Sequence, residues 1–418
     1  MRMEDLERLN EWWFTGKIRK ELALSFKRYA FKRILESLNE RQILIITGLR
    51  RVGKTTLLYQ TIEKLLERED PTSILYFSFE EFYTDPREVL EFYEKQVLKK
   101  PFEEVKRAFI FFDEIQYSKG WPSVIKKFYD LYPNLKFFIS GSSSLLVSKE
   151  AMDKLAGRFF FLEVKPLTFL EFLEMKGIKL KEFASSRIEA YFFDYLRKAG
   201  FPEIFDWENE LKIADYIKNS VIDRVALKDL PIVFKTRDVI LVEKIIKLIL
   251  SNPGSVVNIN SLSKSLGESK ITISNYLKFL EVSLLIRSLS NFRPAFLSSS
   301  RKLKKYYPAT PSLIFSHSKE IFEKNLGAVL ETYIVNALNA KYYFREGKKE
   351  INVILNGKKV LPLEVKEKVS EEDLEKFSRL VNYIEAEKGI MVSLNQNMKK
   401  GNVEVIPAYS VEEIFKIY

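Results

Sequence analysis

The chain has 418 residues, 46% apolar and 14% aromatic, with 68 Lys+Arg against 57 Asp+Glu and a net charge of +11. That length suffices for roughly two to four domains, and that apolar content excludes wholesale disorder. Cysteine is absent and histidine occurs once, as His317, which excludes disulfides, thiol chemistry, zinc-thiolate sites, histidine triads and multi-histidine metal sites.

No apolar run approaches the ~20 residues of a membrane span. Met1-Arg2-Met3-Glu4-Asp5-Leu6 lacks the apolar stretch of a signal peptide. A cytoplasmic protein with no membrane partner is expected. The positive balance permits a polyanionic partner. Abundant Lys, Glu, Ile, Phe and Tyr equally suit a thermophile's charged surface, and a thermophilic archaeal source is expected.

In chain order, residues 42–47 form an apolar run that predicts a buried parallel strand. It feeds Gly48-Leu49-Arg50-Arg51-Val52-Gly53-Lys54-Thr55, which fits the phosphate-loop pattern G-x-x-x-x-G-K-[ST], and Thr55-Thr56-Leu57-Leu58 then opens a helix. In such a loop backbone N–H groups close around the β-phosphate, Lys54 reaches the β/γ oxygens and the Thr55 hydroxyl ligates Mg²⁺. The expected nucleotide contacts run from Gly48 to Thr56. Residues 73–79 are a second strand. Residues 108–112 are a third, ending in Asp113-Glu114, where Asp113 would hold Mg²⁺ through its water shell and Glu114 would polarise the attacking water. Residues 135–140 run into Gly141-Ser142-Ser143-Ser144. Ser140 there is either a sensor of the γ-phosphate or part of a plain Ser/Gly turn. Residues 159–164 are a fifth strand. With helices between them, these strands predict an α/β fold with a parallel sheet covered on both faces. No Asn-Lys-x-Asp stands at a strand end to read guanine, so the ligands expected are ATP and Mg²⁺.

The phosphate loop, the strand 109–114, the 139–144 segment and residues 155–174 together resemble the archaeal and bacterial AAA-type P-loop ATPases of the additional-strand, STAND-like clade. The N-terminal Leu9-Asn10-Glu11-Trp12-Trp13 is similar to that family's Asn-Pro-Trp-Trp signature, with Glu11 in place of proline. The resemblance implies catalytic roles for Lys54 and Glu114, metal binding by Thr55 and Asp113, and a transition-state role for Arg158, acting in its own chain or in a neighbouring subunit. The bland alternative for Arg158 is a surface ion pair. Oligomerisation is compatible with the resemblance.

Residues 1–166 are thus expected to form the ATPase domain, and 167–235 a helical lid with apolar residues at three and four spacing. Leu196-Arg197-Lys198-Ala199-Gly200-Phe201-Pro202-Glu203 is similar to the family's Y-L-x-x-G-G-x-P segment, with Ala199 at its first glycine. Residues 236–318 read as a winged helix, whose third helix would show Lys270, Thr272, Asn275 and Lys278 to duplex DNA or to a protein. In residues 319–418, a helix from 326, a strand 350–355, the turn Asn356-Gly357 and a strand 360–366 resemble the restriction-endonuclease-like core. That resemblance implies a metal site from Glu331, Glu350, Asn352, Glu364 and Lys366. Asn352 stands where an acid is required, so a degenerate domain without cleavage is expected. The function expected is Mg²⁺-dependent ATP hydrolysis coupled to a DNA- or protein-binding C-terminal half. The alternatives are a slow nucleotide switch, an ATP-regulated nuclease, and a defence or toxin–antitoxin regulator that contacts only protein.

Overall fold

The computed structural model describes residues 3–80, 84–142, 153–180, 185–236, 238–293 and 303–415. They divide into two compact units, 1–165 and 166–418.

The first unit is built on five strands, β1 (Ile43–Thr47), β2 (Ile74–Ser78), β3 (Ala108–Asp113), β4 (Leu135–Gly141) and β5 (Phe159–Glu163). Their order is β2-β3-β4-β1-β5, and every pairing is parallel. β1, β3 and β4 are buried along their whole length. This explains why they read as unbroken apolar runs rather than as alternating ones. Phe111 of β3 stacks on Phe138 of β4 at 4.7 Å on one face, while Ile45, Phe77, Phe112 and Phe137 belong to the core cluster. β5 departs from the expectation of a sheet covered on both faces. It pairs only with β1, and Phe160 and Phe161 are exposed.

β2 is the other edge, and side chains close it. The Asn10 amide donates to the Tyr76 carbonyl at 2.9 Å and accepts from the Tyr76 N–H at 2.7 Å. The indoles of Trp12 and Trp13 both donate to the Ile74 carbonyl, at 3.1 and 2.8 Å. Backbone groups that an edge strand leaves open are satisfied here without another strand. Glu11 holds Arg19 at 2.8 Å.

In the second unit helices occupy Phe169–Met175, Ser185–Lys198 and Glu210–Ile217, with wide π-type turns at Lys218–Ile222 and Val225–Asp229. A Cβ on Gly200, at φ 98°, would meet Thr310 Cγ2 at 2.7 Å, so glycine is required there, whereas the neighbouring Ala199 fits, buried. Three helices follow, Val239–Ser251, Ile259–Leu266 and Lys270–Val282, the last burying Ile273, Tyr276, Leu277 and Leu280. The strands are β6 (Val256–Val257), β7 (Ile286–Asn291), β8 (Lys304–Pro308), β9 (Tyr342–Glu346), β10 (Lys349–Asn356), β11 (Val360–Val365), β12 (Gly389–Ser393), β13 (Met398–Lys400) and β14 (Val403–Pro407). They form one sheet in the order β13-β14-β12-β11-β10-β9-β7-β8-β6. The sheet crosses position 318 because β7 pairs with β9 in parallel. Asn356 pairs with Val360, so the hairpin after β10 carries a three-residue loop.

Glu412 caps the helix Phe169–Met175, accepting from the N–H groups of Phe169 and Leu170 at 2.9 Å each. Burial pushes its carboxyl up to about 7 against those two donors. Folded protein therefore keeps a proton between about pH 4.5 and 7 that the unfolded chain releases, and Glu412 contributes less stability as pH rises through that window. Urea denaturation at pH 5 and pH 8 checks this. The stability of wild type relative to Glu412→Gln should fall between the two, by up to about 3 kcal/mol; an unchanged difference contradicts it.

Candidate functional site

The loop after β1 is held from below. Leu49 and Val52 are buried. The buried Arg28 donates from Nη1 to the Val52 carbonyl at 2.7 Å and from Nη2 to the Lys165 carbonyl at 3.0 Å. A Cβ on Gly48 would lie 2.5 Å from the Val164 carbonyl oxygen, so the tight path of the loop past β5 excludes any side chain. Gly53 turns the chain at φ 95° into the helix Lys54–Leu65. Lys54, itself buried, donates to the carbonyls of Gly48 and Leu49, each at 3.1 Å. Its ammonium is thereby parked over the loop, and Thr56 is half-buried within the first turn of the helix.

Asp113 organises the rest. Its carboxylate is 2% exposed and accepts four hydrogen bonds, from the Thr55 hydroxyl at 2.7 Å, the Tyr76 hydroxyl at 3.0 Å, the Glu114 N–H at 3.0 Å, and the Ser140 hydroxyl. A buried carboxylate is stable only when its lone pairs are so occupied. Residues from β2, β3, β4 and the loop helix therefore meet at one point, the carboxyl end of the parallel sheet. The oxygen donors Thr55 and Asp113, adjacent to Lys54, suit a hard divalent cation beside phosphate. Burial pushes the Glu114 carboxyl up, and Asp113 adds to this, while Lys54, Arg50 and Gln116 oppose it. Glu114 itself sits at φ 51° and is half-buried.

The structure adds Tyr76, Glu80, Gln116 and Tyr117, which no motif marked, beside Arg50 and Arg51 of the loop. Gln116 donates to the Glu114 carboxylate and accepts from the Ser142 N–H at 3.3 Å. Arg50 donates to the Tyr117 hydroxyl at 2.6 Å and faces Glu80 at 3.4 Å. Arg51 is exposed, at φ 65°. Tyr76 caps Asp113 and lies 4.7 Å from Tyr59, ring to ring. Only the apolar pattern of β2 hinted at a site-facing residue there. Ser143 and Ser144 lie outside the described residues.

Arg158 is not brought to this site within the chain. It precedes β5, where its carbonyl accepts from the Ile43 N–H at the start of β1, and so sits at the opposite end of the sheet from the phosphate loop. Its guanidinium forks onto Asp130 at 2.8 and 3.0 Å. A role in its own subunit's chemistry is thereby corrected, because parallel strands carry the start of β5 away from the end of β1.

The residues that the nuclease-like resemblance implies in the C-terminal sheet are not gathered into a metal cluster either. Among the described residues no three acidic or histidine side chains are placed to hold a metal. Asn352 stands at a bulge in β10, where its side-chain oxygen accepts from the Val365 N–H at 2.8 Å and its own N–H donates to Glu364 at 3.2 Å. Glu350 pairs with Lys305 at 2.6 Å, Glu331 faces the same ammonium at 3.4 Å, and Lys366 lies 3.9 Å from Asp373. The residues present do not fit the metal. On the helix Lys270–Val282, Lys270, Asn275 and Lys278 are exposed. The half-buried Thr272 is drawn into the helix cap by Ser269.

Residues 40–173 match the family described as an AAA domain, and residues 189–319 match a domain family of unknown function. An uncharacterised protein of Haemophilus influenzae is 29% identical over 58% of this chain and 61% of its own length. Two uncharacterised proteins of Methanocaldococcus jannaschii are 28% identical over 82% of this chain and 79% of theirs, and 30% identical over 58% and 55%. The chain thus covers less than two thirds of the Haemophilus relative. Among solved structures, the Aeropyrum pernix Orc1 protein in complex with DNA superposes with a TM-score of 0.33 and 13% identity, over 74% of this chain and 98% of that one. A likeness that loose carries no functional weight. The family match and the loop geometry fall on the same residues: residues 40–173 match the AAA domain family, and the loop from Gly48 to Thr55 lies within that match.

Proposed function

We propose that this chain hydrolyses ATP with Mg²⁺ and couples its nucleotide state to DNA binding by its C-terminal half. The observation that carries the first part is the Asp113 carboxylate, set between Thr55 and Ser140 with Glu114 beside it. Thr55 and Asp113 would hold the cation, which would supply counter-charge for the triphosphate. Lys54 exchanges its loop carbonyls for phosphate oxygens, a charge-assisted replacement for neutral contacts. Glu114 orients the attacking water and accepts its proton. Burial raises its carboxyl, which makes it a stronger base. Gln116 fixes the rotamer of Glu114. Ser140 senses the γ-phosphate. Arg158, facing away from its own loop, is available to the nucleotide of a neighbouring subunit if the protein oligomerises.

Exposed Lys270, Asn275 and Lys278 on one helix favour duplex DNA as the ligand of the second unit. The division into ATPase domain, lid, winged helix and C-terminal domain follows the sequence patterns, with cleavage excluded from the proposal because Asn352 and Lys305 leave no metal site.

Glu114→Gln should bind a fluorescent ATP analogue as wild type does and release phosphate about 100-fold more slowly or worse; unchanged release would remove hydrolysis from this site. Gly48→Ala should lower nucleotide affinity about tenfold or more, since the new methyl displaces the loop, and unaltered affinity would contradict the tight path inferred for it. For DNA, Lys270→Glu/Lys278→Glu should weaken duplex binding and reduce the slope of log affinity against log salt by about 2. Equal binding by variant and wild type would exclude this helix.

A further inference from the structure

Three arginines lie in or near the segments that build this site, and the fold separates them. Arg158 rests on Asp130 at the far end of the sheet, and Arg51 is exposed, with its backbone at φ 65°. Arg50 turns inward. Its side chain is 11% exposed, and Nη2 donates to the Tyr117 hydroxyl at 2.6 Å and lies 3.4 Å from Glu80. Tyr117 ends the single turn Ile115–Tyr117 that follows Glu114. The sheet order places β4 between the loop strand β1 and β3. To reach Tyr117 from the β1 loop, the Arg50 side chain therefore spans the carboxyl end of β4, where Ser140 meets Asp113. Its guanidinium so stands on the Glu114 side of the loop, and the Glu114 carboxyl feels its charge.

We propose that Arg50 is the transition-state arginine of this site and acts within its own subunit; the inference rests on the reading of the site as a Mg²⁺-dependent ATPase. Water adds to the γ-phosphorus and its proton passes to Glu114. The bond from phosphorus to the β–γ bridging oxygen breaks, and its electron pair stays on ADP. Charge is then shared between the bridging oxygen and the γ-oxygens, and a guanidinium fork meets two such oxygens at once, where an ammonium is a point charge. Tyr117 and Glu80 orient the fork. Glu80, 31% exposed and 3.4 Å away, is a weak competitor for it against a triphosphate. An arginine carried by the loop itself makes hydrolysis independent of a neighbouring subunit.

The test compares wild type, Arg50→Ala and Arg50→Lys in ADP binding, in trapping of ADP with aluminium fluoride, and in single-turnover phosphate release with Mg²⁺. All three should bind ADP alike. Arg50→Ala should release phosphate about 1,000-fold more slowly and fail to trap the aluminium fluoride complex, and Arg50→Lys should recover only a small part of either. Mixing Arg50→Ala with Glu114→Gln should restore nothing, because each subunit needs both residues. Restored turnover in that mixture would hand Arg50 to a neighbouring subunit and overturn the proposal. Wild-type trapping and turnover by Arg50→Ala would overturn it too, as would loss of ADP binding by both variants, which marks a support of the loop. Absence of Glu114-dependent release in wild type reads differently: it removes the ATPase reading itself, and this proposal with it.

Discussion

Everything in the nucleotide unit is arranged around one buried carboxylate. Asp113 would be costly at 2% exposure without partners, and four donors from four separate pieces of chain remove that cost. The three side-chain donors are in turn fixed: Thr55 by the start of its helix, Tyr76 by an edge strand, Ser140 by a fully buried one. The carboxylate is therefore fixed by protein contacts, while Lys54 rests on the loop carbonyls of Gly48 and Leu49.

Much of this arrangement is legible in sequence because it is local. β1, its loop and its helix occupy one short stretch, and a strand buried on both faces announces itself as an unbroken apolar run. The contacts that complete the site are not local. Tyr76 reaches Asp113 across 37 positions, and Arg28 reaches Lys165 across 137. Arg158 shows the opposite failure. It lies in a conspicuous Leu-Ala-Gly-Arg stretch, yet strand direction, which no motif encodes, decides that it faces Asp130 instead of phosphate.

The C-terminal sheet makes the same point about charge. Helix, strand, hairpin and strand were readable from the sequence, whereas Asn352 stood out only through the resemblance to a nuclease-like core. What could not be read was that Asn352 also serves the ladder, bonding Val365. Nor could Lys305, far off on β8, be placed between Glu331 and Glu350. That placement requires β7 to lie against β9, a pairing between strands separated by helices and loops.

The side-chain closure of β2 bears on how this unit is made. Asn10 acts as a surrogate strand of a single residue, matched to Tyr76 through both donor and acceptor. Its partner lies 66 residues later, so a chain emerging from the ribosome exposes Trp12 and Trp13 well before their carbonyl acceptor exists. These aromatic rings must stay uncommitted through the synthesis of the phosphate loop. They dock only once β2 is available, so residues made before the phosphate loop find their place after it.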